Sequence, residues 1–293
     1  LFLNRLFNCI QEFIFLNQRG TLDEVGWHGT QRTKLWRYNQ HYFDYLNSSN
    51  REAIKFKNKE ILLDWLENNP PAYGVGWEPY PTSLRIVNWV KYHLSFASLP
   101  EECLQILAVQ ARWLYARLEF HILGNHLLAN AKALIFLGLF FEGKEADKWL
   151  KKGIRIMSYQ LNEQILSDGG HFERSPMYHS IILEDLIDIY NFCSGSQVSK
   201  VEEIGKIQKL CKRKISKMCE WLNVMIHPDE EIAFFNDAAF RVATKPRLLF
   251  NYARRFGIRA PKITDDLIWL KESGYIRVEL KNVVLIVDLG RLG

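Results

Sequence analysis

The sequence predicts a mainly α-helical fold of successive helical hairpins that gives way to strands close to its C-terminal end. Two features predict it. Apolar residues recur at helical spacing through most of the chain, most clearly at Leu127, Ala131, Leu134 and Gly138 with Leu128 and Ile135 beside them, and strict alternation begins only after Trp269. With 293 residues, 48% of them hydrophobic, the chain has ample apolar material for a large core.

Taken in order, the opening stretch LFLNRLFNCIQEF places Leu3, Leu6, Phe7 and Ile10 at helical rather than signal-peptide spacing. It has no initiator Met, so a longer natural N-terminus is expected. Helices follow at about 36–47, 51–67, 83–97, 101–123, 127–138, 145–166, 178–192 and 201–225. Three punctuated loops separate them: NNPPAYGVGWEPYP at 68–81, SDGGHFERSP at 167–176 and HPDEEIAFFNDAAF at 227–240. In a stack of hairpins, loops gathered at one end can build a cleft while the helices supply rigidity. Near the end, Tyr275, Arg277 and Glu279 alternate with Ile276, Val278 and Leu280, and 283–287 is β-branched, which reads as the first hairpin of a β domain. The expected division is a helical domain over 1–270 and the start of a β domain over 271–293, cut short at Gly293.

Composition narrows the function classes. Aromatic residues reach 13%, more ring surface than a core of this size needs, so some is expected to face a ligand. A net charge of +5 mildly favours an anionic partner. The basic residues are scattered, and their densest run, 206–217, reads as a solvated helix face without a zinc-finger or RNP signature, so nucleic acid is not expected. Five cysteines, Cys9, Cys103, Cys193, Cys211 and Cys219, form an odd set with no CxxC pair, which suggests neither a disulfide framework nor a thiolate zinc site. Unpaired thiols lean toward a reducing compartment, whereas an export signal upstream would place the protein in the periplasm. The longest apolar run, 133–141, is too short to cross a bilayer. Nothing in the sequence fixes an oligomeric state.

Two segments place polar residues directly before a helix: Asn125-His126 ahead of Leu127, and Ser175-Pro176-Met177-Tyr178-His179 ahead of Ile181. Helix entry alone accounts for Asn125, Ser175 and Pro176. A lone His near a helix start is usually structural, and that reading covers His126, His171 and His179. Against it, Asp168, His171, Glu173, Arg174, Tyr178 and His179 crowd into one short stretch where a plain connection needs only turn formers.

GNHLLANAKALIFLGLFFEG at 124–143 and DGGHFERSPMYHSIILEDLIDI at 168–189 resemble signature stretches of the heparinase II/III family, and WEPYPTSLRIVNWVK at 77–91 and FFNDAAF at 234–240 extend the match. The resemblance runs from about Trp36 to the end of the chain. It implies an incomplete α/α toroid of helical hairpins followed by an antiparallel β-sandwich, of which only the first strands would be present. It also implies a polysaccharide lyase, similar to alginate and heparan lyases, that eliminates across the C4–O4 bond of a uronic acid in an anionic polysaccharide. The matching catalytic positions are Asn125, His126 and Tyr178, with His179 beside the Tyr. No cofactor is implied within this chain. In related lyases the β-sandwich contributes a further His and sometimes a metal site, which would lie outside this sequence.

The chemistry accounts for those residue types. Removing the C5 proton of a uronate builds an enolate-like dianion, which a neutral amide such as Asn125 and a donor such as His126 would disperse. Tyr178, with a reference pKa of about 10, would act readily as the acid toward O4, but as a base would need cationic neighbours such as Arg174 or a protonated His179. His126 or His179 could otherwise serve as the base. Trp77 and Tyr80 offer stacking faces for sugar rings, Arg85 and Arg174 suit carboxylate or sulfate groups, and His171 and Glu173 complete the substrate-facing set. Core packing is an equally good reading of the aromatics. Asn236 and Asp237 mark another cleft edge or an Asx turn. Two rival functions stay open: a glycoside hydrolase using Glu173 with Asp168 or Asp237 as paired carboxylates, and a non-catalytic polysaccharide-binding protein of an exopolysaccharide locus.

Overall fold

The computed structural model describes residues 12–16, 18–47, 55–195 and 202–290. It is mostly helical, with a small three-stranded antiparallel sheet at the C-terminal end, so the predicted class holds. A hairpin of β1 (Glu12–Phe15) and β2 (Gln18–Thr21) comes first, then α1 (Leu22–Val25), α2 (Lys34–Gln40), α3 (Lys55–Asn68), α4 (Pro79–Ser95) and α5 (Glu101–Tyr115). The long helices α6 (Gly124–Phe140), α7 (Lys144–Gln164), α8 (Pro176–Gly195) and α9 (Glu202–Val224) follow, then α10 (Pro246–Arg254) and the strands β3 (Leu267–Leu270), β4 (Tyr275–Leu280) and β5 (Val283–Asp288).

Several boundaries depart from the sequence pattern for identifiable reasons. The helix expected over 36–47 breaks at Phe43, whose φ of +63° leaves the right-handed region, and a 3₁₀ turn, Asp44–Asn47, replaces its second half. Helix α4 starts earlier than expected, because Pro79 and Pro81 preset the φ of its first turn. The N-terminal helix expected from Leu3 to Ile10 lies outside the described residues, as do Cys9 and the start expected at Arg51; the strand β1 was not anticipated, and neither was α10.

The chain divides into two compact units, Leu1–His121 with Phe136–Trp149, and Ile122–Ile135 with Leu150–Gly293. The first is built on an aromatic core. Trp36, Phe43, Trp65, Trp77 and Trp89 are buried, and Trp65 meets Phe43, Trp77 and Trp89 ring to ring within about 6 Å.

In the second unit, α8 and α9 pack side by side, and α9 shares a core with the C-terminal sheet: Trp221, Val224 and Met225 meet Leu270, Tyr275 and Ile286. The sheet order is β3-β4-β5, antiparallel throughout, with Tyr275 paired to Leu270 and to Asp288. Strand β4 turns Tyr275 and Arg277 inward, not the aliphatic face of Ile276, Val278 and Leu280. Arg277 is kept there by donating to the carbonyls of Val224 (3.1 Å) and Ile226 (2.6 Å), at and just past the end of α9. Among the described residues no helix is long and apolar enough to cross a membrane.

Candidate functional site

Three segments of the second unit converge: the start of α6, the turn between α7 and α8, and the FFNDAAF loop. At the first, Leu123 and Gly124 are both left-handed, with φ of +61° and +53°. The backbone reverses there and presents Asn125 and His126, half-exposed, in the first turn of α6. Gly124 suits this left-handed position, and a Cβ there would stand 3.0 Å from Oε1 of the flexible Glu173 side chain.

The second segment is a tight turn, closed by a bridge between Ile165 and His171 and by the amide of Phe172 donating to the carbonyl of Gln164 (2.8 Å). Gly169 packs against the backbone of Lys217 at a φ of +94°, so a side chain there would collide with the Lys217 carbonyl. Asp168 is fully engaged in holding this turn to the sheet. Its carboxylate accepts from the Ser273 amide (2.7 Å), the Ser273 hydroxyl (2.9 Å) and the Gly170 amide (3.0 Å). Arg174, at φ +57°, then swings the chain into α8, where the Ser175 hydroxyl accepts from the Tyr178 amide at 3.4 Å and Pro176 begins the helix. Tyr178 emerges half-buried in that first turn.

In the third segment Asn236 and Asp237 are consecutive left-handed residues, with φ of +46° and +58°. The Asn236 amide donates to the Tyr275 hydroxyl (2.9 Å) and to the Arg174 carbonyl (3.3 Å), and Tyr275 itself donates to that carbonyl (2.7 Å). The loop is thereby tied to the turn that carries Glu173. Left-handed non-glycine residues at three adjoining segments are a recognised mark of functional surfaces.

The titratable groups sense one another. The surroundings of the Glu173 carboxyl strip water from it, although the residue as a whole is exposed; this raises its pKa, Asp237 adds to the rise, and His126 opposes it. Tyr178 is raised above its ordinary value by partial burial, and further by Glu173 and Asp237. Electrostatically, an imidazole, two carboxyls and a phenol that holds its proton are thus coupled, and Asn125 precedes that imidazole in the chain. Among the described residues no group of three or more His, Cys, Asp or Glu could hold a metal ion.

Other sequence candidates do not fit the parts expected of them. His179 is fully buried: its ring stacks on Trp221 (4.3 Å), Nε2 donates to the Met218 carbonyl (3.0 Å) and Nδ1 accepts from the His171 amide (3.3 Å). Burial pushes its pKa down to about 3, so it supplies neither a cation beside Tyr178 nor a base open to substrate. His171 is equally buried, donates from Nε2 to Gln164 Oε1 (3.0 Å), and is also pushed down to about 3, by burial and then by His179.

Arg85, Trp77 and Tyr80 belong to the other unit. The Arg85 guanidinium is fully buried, lies 4.1 Å from the centre of the Trp65 ring, and donates to Gln110 Oε1 (3.0 Å) and the Gly76 carbonyl (2.7 Å), which leaves no face for a sugar acid. Trp77 is 2% exposed and its indole donates to the Asn69 carbonyl at 3.1 Å, so it is core. Tyr80 is half-buried in the first turn of α4, edge-on to Tyr42 at 5.9 Å.

Two features escaped the sequence reading. Phe234 and Phe240, 63% and 52% exposed with ring centres 5.2 Å apart, form an open aromatic pair around Asn236 and Asp237. Gln164 is buried beneath the site; the available signal was a polar residue on the apolar stripe of α7, in step with Met157, Leu161 and Ile165.

The chain matches the heparinase II/III N-terminus model over residues 22–259. It is 28% identical over 224 residues to a heparin-sulfate lyase of Bacteroides stercoris, covering 73% of this chain and 32% of that protein. A heparin-sulfate lyase of Bacteroides thetaiotaomicron is 29% identical over 198 residues, 61% of this chain and 27% of that one. The chain thus spans about a third of the length of these relatives. Among solved structures, a crystal structure of heparinase III superposes with a TM-score of 0.63 at 21% identity, covering 86% of this chain and 44% of the other. Heparan sulfate lyase HepC from Pedobacter heparinus gives 0.57 at 19% identity, covering 91% and 47%. At such identities the superpositions establish a shared fold. The match to the family model, which covers most of the chain, establishes more: this chain belongs to the heparinase II/III family.

Proposed function

We infer that the protein is a polysaccharide lyase that cuts a uronic-acid polymer by β-elimination, and that this chain supplies its carboxylate-binding and acid groups. The observation that supports the reading is that Glu173 lies against Gly124, the residue before Asn125 and His126, and is coupled electrostatically to His126, Asp237 and Tyr178. Asn125 donates to the sugar carboxylate and lowers the energy of the dianion formed when C5 loses its proton. His126 takes that proton, since an imidazole can accept one and an amide cannot. The C5–H electrons become the C4–C5 double bond, the C4–O4 bond breaks, and O4 leaves with the proton of Tyr178. Raised above its ordinary pKa, Tyr178 suits the acid role and not that of a resting phenolate. The exposed pair Phe234 and Phe240 offers ring faces to the apolar side of a neighbouring sugar.

The test is a screen of the full-length protein against heparan-, alginate- and hyaluronan-type polymers with ultraviolet detection, because elimination creates a conjugated double bond. One observation favours a second reading. A carboxyl held above its ordinary range next to another carboxyl, Glu173 beside Asp237, is what a glycoside hydrolase uses. Chain shortening without the ultraviolet chromophore would identify that chemistry instead.

A further inference from the structure

A line of hydrogen bonds runs beneath the site and joins its two helix starts. His179, the residue after Tyr178, donates from Nε2 to Met218 on α9 and accepts at Nδ1 from the His171 amide. The His171 ring donates from Nε2 to Gln164 Oε1. The Gln164 amide group then donates to Gln160 Oε1 (2.6 Å) and to the carbonyl of Gly124 (3.1 Å), the peptide group that leads directly into Asn125. Each member of the line, His179, His171, Gln164 and Gln160, is nine-tenths or more buried.

Every direction in the line is fixed. A carbonyl oxygen only accepts, so Met218 requires the proton of His179 on Nε2, which frees Nδ1 to accept from His171. Gln164 Oε1 likewise requires the His171 proton on Nε2, and that contact turns the NH₂ of Gln164 toward Gly124. Among the described residues His171 Nδ1 has no hydrogen-bond partner, so the ring is held from its Nε2 side alone, through Gln164. The Gly124 peptide is a natural target for such a hold, because two consecutive left-handed residues, Leu123 and Gly124, aim the first turn of α6.

The geometry points to Gln164 and His171 as positioning residues that set Asn125 and His126 at a fixed distance from Tyr178, with His179 anchoring the far end of the same relay. Neither Gln164 nor His171 touches substrate on this view; both act through the Gly124 peptide. The catalytic consequence rests on the lyase reading above, whereas the structural one does not.

The experiment uses the full-length protein with Gln164→Glu and Gln164→Met. At alkaline pH high enough to ionise the buried carboxyl introduced by Gln164→Glu, the carboxylate cannot donate to Gly124, so kcat is expected to fall about tenfold or more while KM changes by less than about twofold. When protonated, the same carboxyl donates to Gly124 through its hydroxyl and accepts from His171 through its carbonyl. The ratio of variant to wild-type kcat is therefore expected to climb as pH falls and the buried carboxyl takes up its proton, and in Gln164→Met it stays low at every pH. Hydrogen exchange of the peptide covering residues 122–130 supplies a measure free of turnover, expected to quicken in Gln164→Met. Wild-type turnover with an unchanged kcat in both variants, or equal recovery of both at low pH, overturns the relay. Absence of turnover in the wild type overturns the lyase reading, and exchange at 122–130 then decides the relay alone, unaltered exchange refuting it.

Discussion

Lys132 and Asp188 meet 2.6 Å apart in the interior, and Asp185 stands on the same ammonium at 2.6 Å, so one cation of α6 holds two carboxylates of α8. Burial by itself would lower the pKa of Lys132, but the two aspartates outweigh it and hold the ammonium above its ordinary range. Tyr252 of α10 donates to Asp188 at 3.1 Å and extends the cluster to a third helix. Replacing Lys132 with Met leaves two largely buried carboxylates without this cation, and a stability loss of about 3–5 kcal/mol is expected in denaturant unfolding. Adding Asp188→Asn to that variant should recover part of the loss. A double variant no more stable than Lys132→Met would mean that the charge pairing is not what holds these helices.

Tyr178→Phe removes one hydroxyl from a half-buried ring. We expect elimination to fall by about 10²–10⁴, the usual worth of a placed acid, with polymer affinity nearly unchanged. The wild-type pH profile carries a sign. As the acid of the proposed elimination Tyr178 would work protonated, and its pKa lies above the ordinary value of 10.0, so its ionisation is expected to reduce the rate only on the alkaline side of that value. Near wild-type turnover in the variant would remove the phenol from the reaction.

Asn125→Ala separates catalysis from helix entry. Asn125 lies inside the first turn of α6, one residue after Gly124, so the change is expected to cost about 1 kcal/mol or less in thermal unfolding. Turnover is expected to fall by about 10²–10³ if the amide faces a developing oxyanion. Stability and activity lost in proportion would argue for a structural amide.

Acid should unfold this protein through its hidden imidazoles. His171 and His179 are both pushed down to about 3 from 6.5, so between those values the unfolded chain binds protons that the folded one refuses. Their contribution to stability is complete above about pH 6.5 and is lost as pH falls toward about 3. Melting temperature is expected to be flat from about pH 7 to 8 and to drop steeply below about pH 6.

Helical spacing was sufficient to locate most of the long helices, and alternation located β4 and β5 but not β3, whose four residues, Leu267–Leu270, are too few and too apolar to alternate. Spacing was silent where local backbone conformation or distant packing decides: Phe43 breaks its helix through a left-handed φ, and the apolar positions of α10, Leu249 and Ala253, are too few over nine residues to stand out. At the candidate site, residue type pointed to one neighbourhood, and within it His126, Glu173, Tyr178 and Asp237 influence one another electrostatically. Depth was not legible. His179 and Arg85 are polar residues that a sequence pattern places on surfaces, yet ring stacking on Trp221 and Trp65 and backbone carbonyl acceptors make their burial tolerable. Gln164 went unnoticed because its role depends on a carbonyl forty residues away in sequence.

The grip of Asn236 on both the Tyr275 phenol and the Arg174 carbonyl couples the C-terminal sheet to the turn that carries Glu173 and leads into Tyr178. A change in the seating of β4 would be felt first at that turn, so substitutions along the strand are places to look for effects on the candidate site that leave its own side chains untouched.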